Sequence, residues 1–310
     1  MPCGGGVGGR GQSEAESNPI TPTAHDWDPW HMTLTSAFTR GTLRATIAIW
    51  PLRLEFGMAT AKLILDIRFF ECDRQAIGAL SSSGIGSIYR LPGSIDMVGA
   101  RIARKLRQYG FVTGDFDHFY ICFTPDLPEF GKRWYPQAVF PRVRDVDYGL
   151  KPERINALAA GDKERAVANA TFDALELVCQ QFPANRPIIQ RVQQDLATHG
   201  DDMEIIHKVK EAVKFSITVS YKIRPLGMGI GLVTYINKAT GEPRRKEFVE
   251  LRHYQDIFYL VGSISLTGGV IHLIPRSSFQ ASLMTRDYST PIEIPLANLA
   301  AASSPVGGGE

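Results

Sequence analysis

The chain has 310 residues, 44% hydrophobic and 21% charged, which is enough apolar material for one large domain or two ordinary ones. Its formal charge of +2 lacks the basic excess of a dedicated nucleic-acid binder, and no basic amphipathic helix marks an anionic-membrane binder. No apolar run of about 18 residues exists to cross a bilayer as a helix. The cysteines Cys3, Cys72, Cys122 and Cys179 lie far apart, with no C-x-x-C spacing and no disulfide framework. A reducing, cytoplasmic setting is expected.

Residues 1–57 differ from the rest. Six of the first eleven are glycine, and Ser, Pro, Thr and Glu dominate as far as Pro29, with Trp27, Trp30 and Trp50 as exceptions. Such composition buries too little apolar surface to offset its conformational entropy. It predicts a disordered leader or a non-native extension, with Met58 as a candidate native start.

From Ala61 to Phe69 apolar and charged residues alternate, which predicts a strand. Ser94 is placed to cap a helix with the apolar line Ile95, Val98, Ile102, Leu106 and Tyr109, and Gly110 to stop it. A second strand is expected over His118 to Phe123. Thr124 to Gly149 then shows neither period, and its prolines stand among Phe130, Trp134, Tyr135, Phe140 and Tyr148. A connection of that length usually carries function. Helices are predicted from Pro152, Asp162 and Pro187, and a short fourth one with Met203, Ile206 and Val209.

Lys214 to Arg224 alternates without a fault. Phe215, Ile217, Val219, Tyr221 and Ile223 should press inward against helices, while the even-numbered residues meet water. Strands follow over Gly229 to Asn237, Arg245 to Leu251, Ile257 to Leu266 and Val270 to Ile274, the last two joined by a Gly268-Gly269 hairpin. The fold class is therefore α+β: an antiparallel C-terminal β-meander of about five strands packed with a central helical segment and a smaller N-terminal strand–helix–strand portion. The divisions are 58–150, an N-terminal α/β portion with the long aromatic loop; 151–212, helical; 213–296, the sheet; and 297–310, a flexible tail.

Chemistry is sparse. Gly227-Met-Gly-Ile-Gly231 and Gly84-Ile-Gly86 look like phosphate loops, but neither stands between a strand and a helix, so turn glycines explain them better. Asp115, Asp117 and His118 stand at the mouth of a strand, where two carboxylates and an imidazole could hold a divalent metal or share acid–base work. Arg101, Arg104, Lys105 and Arg107 on the 94–109 helix could track a phosphate backbone, although no aromatics interleave with them.

The reading favoured here is a non-catalytic intracellular module that binds another protein, regulating or neutralising it. Its binding residues would be Phe130, Arg133, Trp134, Tyr135, Arg142 and Arg144, since interfaces enrich Arg and aromatics. It calls for no cofactor and no membrane. The alternatives are a metal-assisted hydrolase using Asp115, Asp117 and His118, and nucleic-acid binding through the basic helix.

Overall fold

The computed structural model describes residues 61–72, 85–135 and 140–301. The expected leader 1–57, the proposed start at Met58 and residues 302–310 lie outside them, as does Gly84. In chain order the first half contains β1 (Lys62–Leu63), β2 (Asp66–Glu71), α1 (Ile95–Gln108), β3 (Val112–Gly114), β4 (His118–Thr124), β5 (Lys132–Trp134), β6 (Val143–Gly149), α2 (Pro152–Asn156), α3 (Ala160–Gln181) and α4 (Arg186–His199). The second half contains β7 (Glu204–Glu211), β8 (Phe215–Ile223), β9 (Gly229–Asn237), β10 (Pro243–Leu251), α5 (Ile257–Leu260), β11 (Ser263–Thr267), β12 (Val270–Ile274), α6 (Phe279–Thr285), β13 (Ile292–Pro295) and β14 (Ala300–Ala301). The architecture is α+β, as expected, and none of the described helices is long and apolar enough to cross a membrane.

Helix α1 organises the molecule. Ile95, Val98, Ile102 and Leu106 recur every three or four residues and enter a first core, whereas Ala100, with Met97 beside it, belongs to a second. Small residues let neighbours come close: a Cβ on Gly99 would lie 2.6 Å from the Ile67 carbonyl oxygen. A helix wrapped on most sides must bury its cations too, and Arg101 and Lys105 are only 2% and 8% exposed. Gly110 ends it at φ +83°, a conformation that favours glycine.

The first core lies between α1, α3, α4 and a four-stranded sheet of order β2-β4-β6-β5. β2, β4 and β6 are parallel, and β5 pairs antiparallel on the edge. Ile67, Phe69, Phe119, Ile121, Phe123 and Val146 meet Val167, Leu175 and Val178 across it. The stretch expected to be a long loop thus supplies two strands. Val-Arg-Asp-Val-Asp-Tyr-Gly was hard to read as β6 because Arg144 and Asp147 are partnered by groups distant in sequence.

The second core is a sandwich. A five-stranded antiparallel sheet, β14-β10-β9-β8-β7, packs against α5 and the three-stranded sheet β11-β12-β13. Ile217, Val219, Tyr221 and Ile223 are 0–1% exposed, but they face Ile257, Leu260, Ile271, Leu273 and Ile294 rather than the central helices. Nor does the other face of β8 simply meet water. Ser220 is fully buried because its hydroxyl donates to Glu204, which Arg245 also holds, and its neighbour in register, Leu232, is 1% exposed.

Two further expectations fail for local reasons. The apolar spacing of three over 203–209 belongs to β7, not a helix: a bulge between Ile206 and Lys208 breaks the period of two. Ile257 to Leu266 begins as the helical turn α5 and becomes β11 only after Gly262, where a Cβ would lie 2.7 Å from the Arg276 nitrogen. The Gly268-Gly269 hairpin is present, both residues at positive φ (+58° and +76°). Past Pro295, where fraying was expected, Leu299 is 6% exposed in the second core and Ala300–Ala301 pair with Arg245 and Arg244.

Candidate functional site

Both glycine groups serve the fold. Gly86 and Ile88 direct their N–H groups at the buried Glu71 carboxylate (2.7 Å for Gly86), so a side chain of the protein occupies the place a phosphate would take. Gly227 adopts φ +85° in the β8–β9 turn. Gly231 gives way to Phe248 and Val249, whose atoms lie 2.9 and 2.8 Å from where its Cβ would be.

Asp115, Asp117, His118, Arg142 and Arg144 do come together, at the amino ends of β4 and β6, which pair in parallel with His118 opposite Val143. Arg142 Nε lies 3.2 Å from both Asp117 oxygens and His118 Nδ1 lies 2.6 Å from one of them. Burial alone would raise the Asp117 carboxyl; the hydrogen bonds from His118 and Arg142 outweigh it and hold the pKa down to about 2. Arg144 reaches the exposed Asp115 at 2.5 Å while its guanidinium lies 5.6 Å from the Phe116 ring centre. Each carboxylate thus faces a guanidinium. Among the described residues no group of three or more His, Cys, Asp or Glu side chains is arranged to hold a metal ion.

The arrangement stabilises the junction of β4 and β6. Replacing Asp117 with alanine is expected to cost about 2 kcal/mol at pH 7, less than a fully buried pair, because the Arg142 side chain left behind is 40% exposed. The sign of the pH dependence follows from the depressed pKa. The carboxylate's contribution is fully present above its ordinary pKa of 3.8 and is lost as pH falls through about 2. Urea denaturation at pH 7 and at pH 2.5 checks this: the difference between wild type and variant should shrink at the lower pH.

The residues proposed for binding divide. Trp134 packs on Phe116 and Phe119, with ring centres 6.1 and 6.0 Å away. Tyr135 donates to the buried Asp147 carboxylate at 2.8 Å, and Arg133 reaches the same group at 3.2 Å. Arg142 and Arg144 are committed to Asp117 and Asp115. Phe130 is 55% exposed at φ +63° where the chain turns into β5, and Arg133, though paired, is exposed as well. Phe140, 62% exposed, stands at the other end of the β5–β6 hairpin.

Between those two phenylalanines runs an open strand edge. Gly149 N–H donates to the Gly131 carbonyl and Tyr135 N–H to that of Asp145, so the Gly131 carbonyl and the main-chain groups of Arg133 and Tyr135 turn to β6. In an antiparallel ladder the intervening residues, Lys132 and Trp134, must then direct theirs outward. β5 is the last strand of its sheet, and no described strand pairs with that side. The sequence signal for it was present only as aromatic and basic composition.

The basic helix is turned inward. Arg101 meets Asp201 at 2.7 Å, Lys105 donates to the Glu204 carbonyl at 2.7 Å, Arg107 donates to the Leu63 carbonyl at 3.2 Å, and Arg104 lies 5.0 Å over the Phe258 ring. Desolvation lowers the pKa of both Arg101 and Lys105. Comparison with known proteins finds no matching family model, no matching curated protein and no matching solved structure.

Proposed function

We propose that this protein binds another protein by accepting an extended segment along the outer edge of β5, with Phe130 and Phe140 gripping its two ends. The observation that carries this reading is the edge at Lys132 and Trp134, which no described strand pairs and which two exposed phenylalanines bracket. At about 3.3 Å per residue the β6 span separates them by roughly 20 Å, the reach of a strand of five or six residues. Main-chain hydrogen bonds would supply affinity, and the rings specificity. The favoured setting is cytoplasmic, in keeping with Cys72 and Cys179 as free thiols. The role would be regulatory or neutralising rather than catalytic.

The hydrolase alternative has less support, since Asp117 would have to leave Arg142 and His118 before ligating a metal. Nucleic-acid binding through α1 would require cations that are spent inside the fold.

Photo-crosslinking in the host tests the proposal. A benzophenone side chain at 130 and one at 140 should each capture the same partner. Lys132→Pro should abolish both adducts without unfolding the protein, because proline is tolerated where a strand N–H faces outward. Different adducts at the two positions, or adducts indifferent to Lys132→Pro, would overturn it.

A further inference from the structure

The two sides of the C-terminal sandwich are closed differently. On the β7 side, His207 Nε2 lies 3.1 Å from the Val261 carbonyl, Lys208 donates to the Gly262 carbonyl, and Lys210 donates to that of Ile264 at 2.9 Å. The edge of β11 is thereby capped by side chains from β7, a common way to keep an edge from recruiting another strand.

The β10 side is open. Arg224 N–H bonds Met228 and Lys238 N–H bonds Lys214, so the even-numbered residues of β8 and β9 face one another. The odd-numbered residues of β9 therefore face β10, and on β10 Arg244, Lys246, Val249 and Leu251 point back at them. Of the outward-facing groups, those of Arg245 lie opposite Ala300 of β14, and the Arg252 N–H donates to the Tyr288 hydroxyl at 2.8 Å. Between these two, from Glu247 to Glu250, no described strand pairs with the edge.

A cleft of about 300 Å³ adjoins that gap, walled by Phe248 and Val249 on one side and by Pro291 and Ile292 on the other. A bulge between Glu247 and Val249 puts two successive side chains on the cleft face, both meeting the place where a Gly231 Cβ would stand. Glu247 and Glu250 lie opposite Leu232 and Ile230, on the other face of the sheet. Both are exposed, and neither has an ion-pair partner among the described residues. Glu293, 61% exposed and 3.4 Å from His272 Nδ1, adds a third carboxylate at the cleft's far wall.

We propose that this gap is a second binding site, which takes a short extended peptide of alternating basic and apolar residues as an added strand on β10. Side chains of a strand alternate in direction, so one set would enter the cleft against Phe248, Val249, Pro291 and Ile292. The other set would lie beside Glu247 and Glu250, where opposite charges across strands are favourable. Main-chain pairing to Glu247–Glu250 fixes the register. The site lies on a different sheet from the β5 edge and stands or falls without it.

The test uses the full chain and three fluorescein-labelled peptides: Lys-Leu-Lys-Leu-Lys, the rearranged Lys-Lys-Leu-Leu-Lys, and Glu-Leu-Glu-Leu-Glu. Anisotropy should show the first binding at least tenfold more tightly than either of the others. The surface substitutions Glu247→Lys and Glu250→Lys together should weaken it by at least tenfold, and its addition should shift the amide resonances of Phe248, Val249 and Ile292. Equal binding of the two lysine peptides would mean charge attraction alone and overturn the proposal. So would binding that leaves those amides unmoved, or no binding at millimolar peptide. Self-association of the free chain that Glu250→Lys abolishes would assign the edge to a second copy instead, and would equally overturn it.

Discussion

Gly99→Val is expected to cost more than about 3 kcal/mol, at or beyond the upper end for overpacking in a core. The reason is what the new side chain would strike. Its Cβ would lie 2.6 Å from the Ile67 carbonyl oxygen and 2.9 Å from the Phe69 ring. Ile67 cannot retreat, because β2 is held in parallel register with Phe119 of β4. The helix cannot retreat either, because its other faces fill the second core. Gly161→Ala is the matched control: no atom lies within 4 Å of where its Cβ would be, and alanine is the better helix former, so stability should hold or rise by up to about 1 kcal/mol. Urea denaturation followed by circular dichroism compares the two. A Gly99→Val protein within about 0.5 kcal/mol of wild type would mean that α1 does not sit against β2 as described.

Acid sensitivity between pH 6.5 and 4 is expected to come largely from His207. Its ring packs 5.4 Å from that of Phe258, and its Nδ1 has no hydrogen-bond partner among the described residues. Desolvation is the main cause of a pKa lowered to about 4; Lys208 and Arg276 push the same way, and the bond to the Val261 carbonyl opposes them. The folded pKa lies below the unfolded value of 6.5, so below pH 6.5 the unfolded chain gains a proton that the folded one refuses. Stability from this residue is complete above 6.5, falls as the solution is acidified, and levels off near pH 4. At pH 5 the loss is about 2 kcal/mol. His207→Phe keeps a ring beside Phe258 and removes the titration. Between pH 7.5 and 5 wild type should lose about 2 kcal/mol more than the variant; parallel losses would contradict the assignment.

The fold was legible where one face of an element is apolar and its neighbours are near in sequence. The α1 stripe, the alternation of β8 and the Gly268-Gly269 hairpin are of that kind. It was illegible where a distant partner supplies the reason. The polar side chains of β6 make sense only once Arg133 and Asp115 are beside them. The β7 bulge disguised a strand as a helix, and the burial of Ser220 needed Glu204 and Arg245 from two other strands.

The candidate site shows the same division. Composition drew attention to the stretch that holds Phe130, Arg133 and Phe140, and these belong to the β5–β6 hairpin. It could not separate residues that hold the hairpin from those left facing outward. Trp134 and Tyr135 have the chemistry of interface anchors, but they pack on Phe116 and bond to Asp147. Arg142 and the Asp117–His118 pair were read as parts of two rival sites, a binding surface and a metal centre. They are instead one ion-pair cluster. The open edge itself is a property of strand order, which no local pattern encodes.

Amide hydrogen exchange on the free protein tests that edge most directly, and needs no partner. Lys132 and Trp134 should exchange rapidly while Arg133 and Tyr135, bonded to β6, are protected, so that protection alternates residue by residue along β5. Equal protection of all four amides would mean that the outer side of β5 is already paired, and the strand-addition account would be wrong.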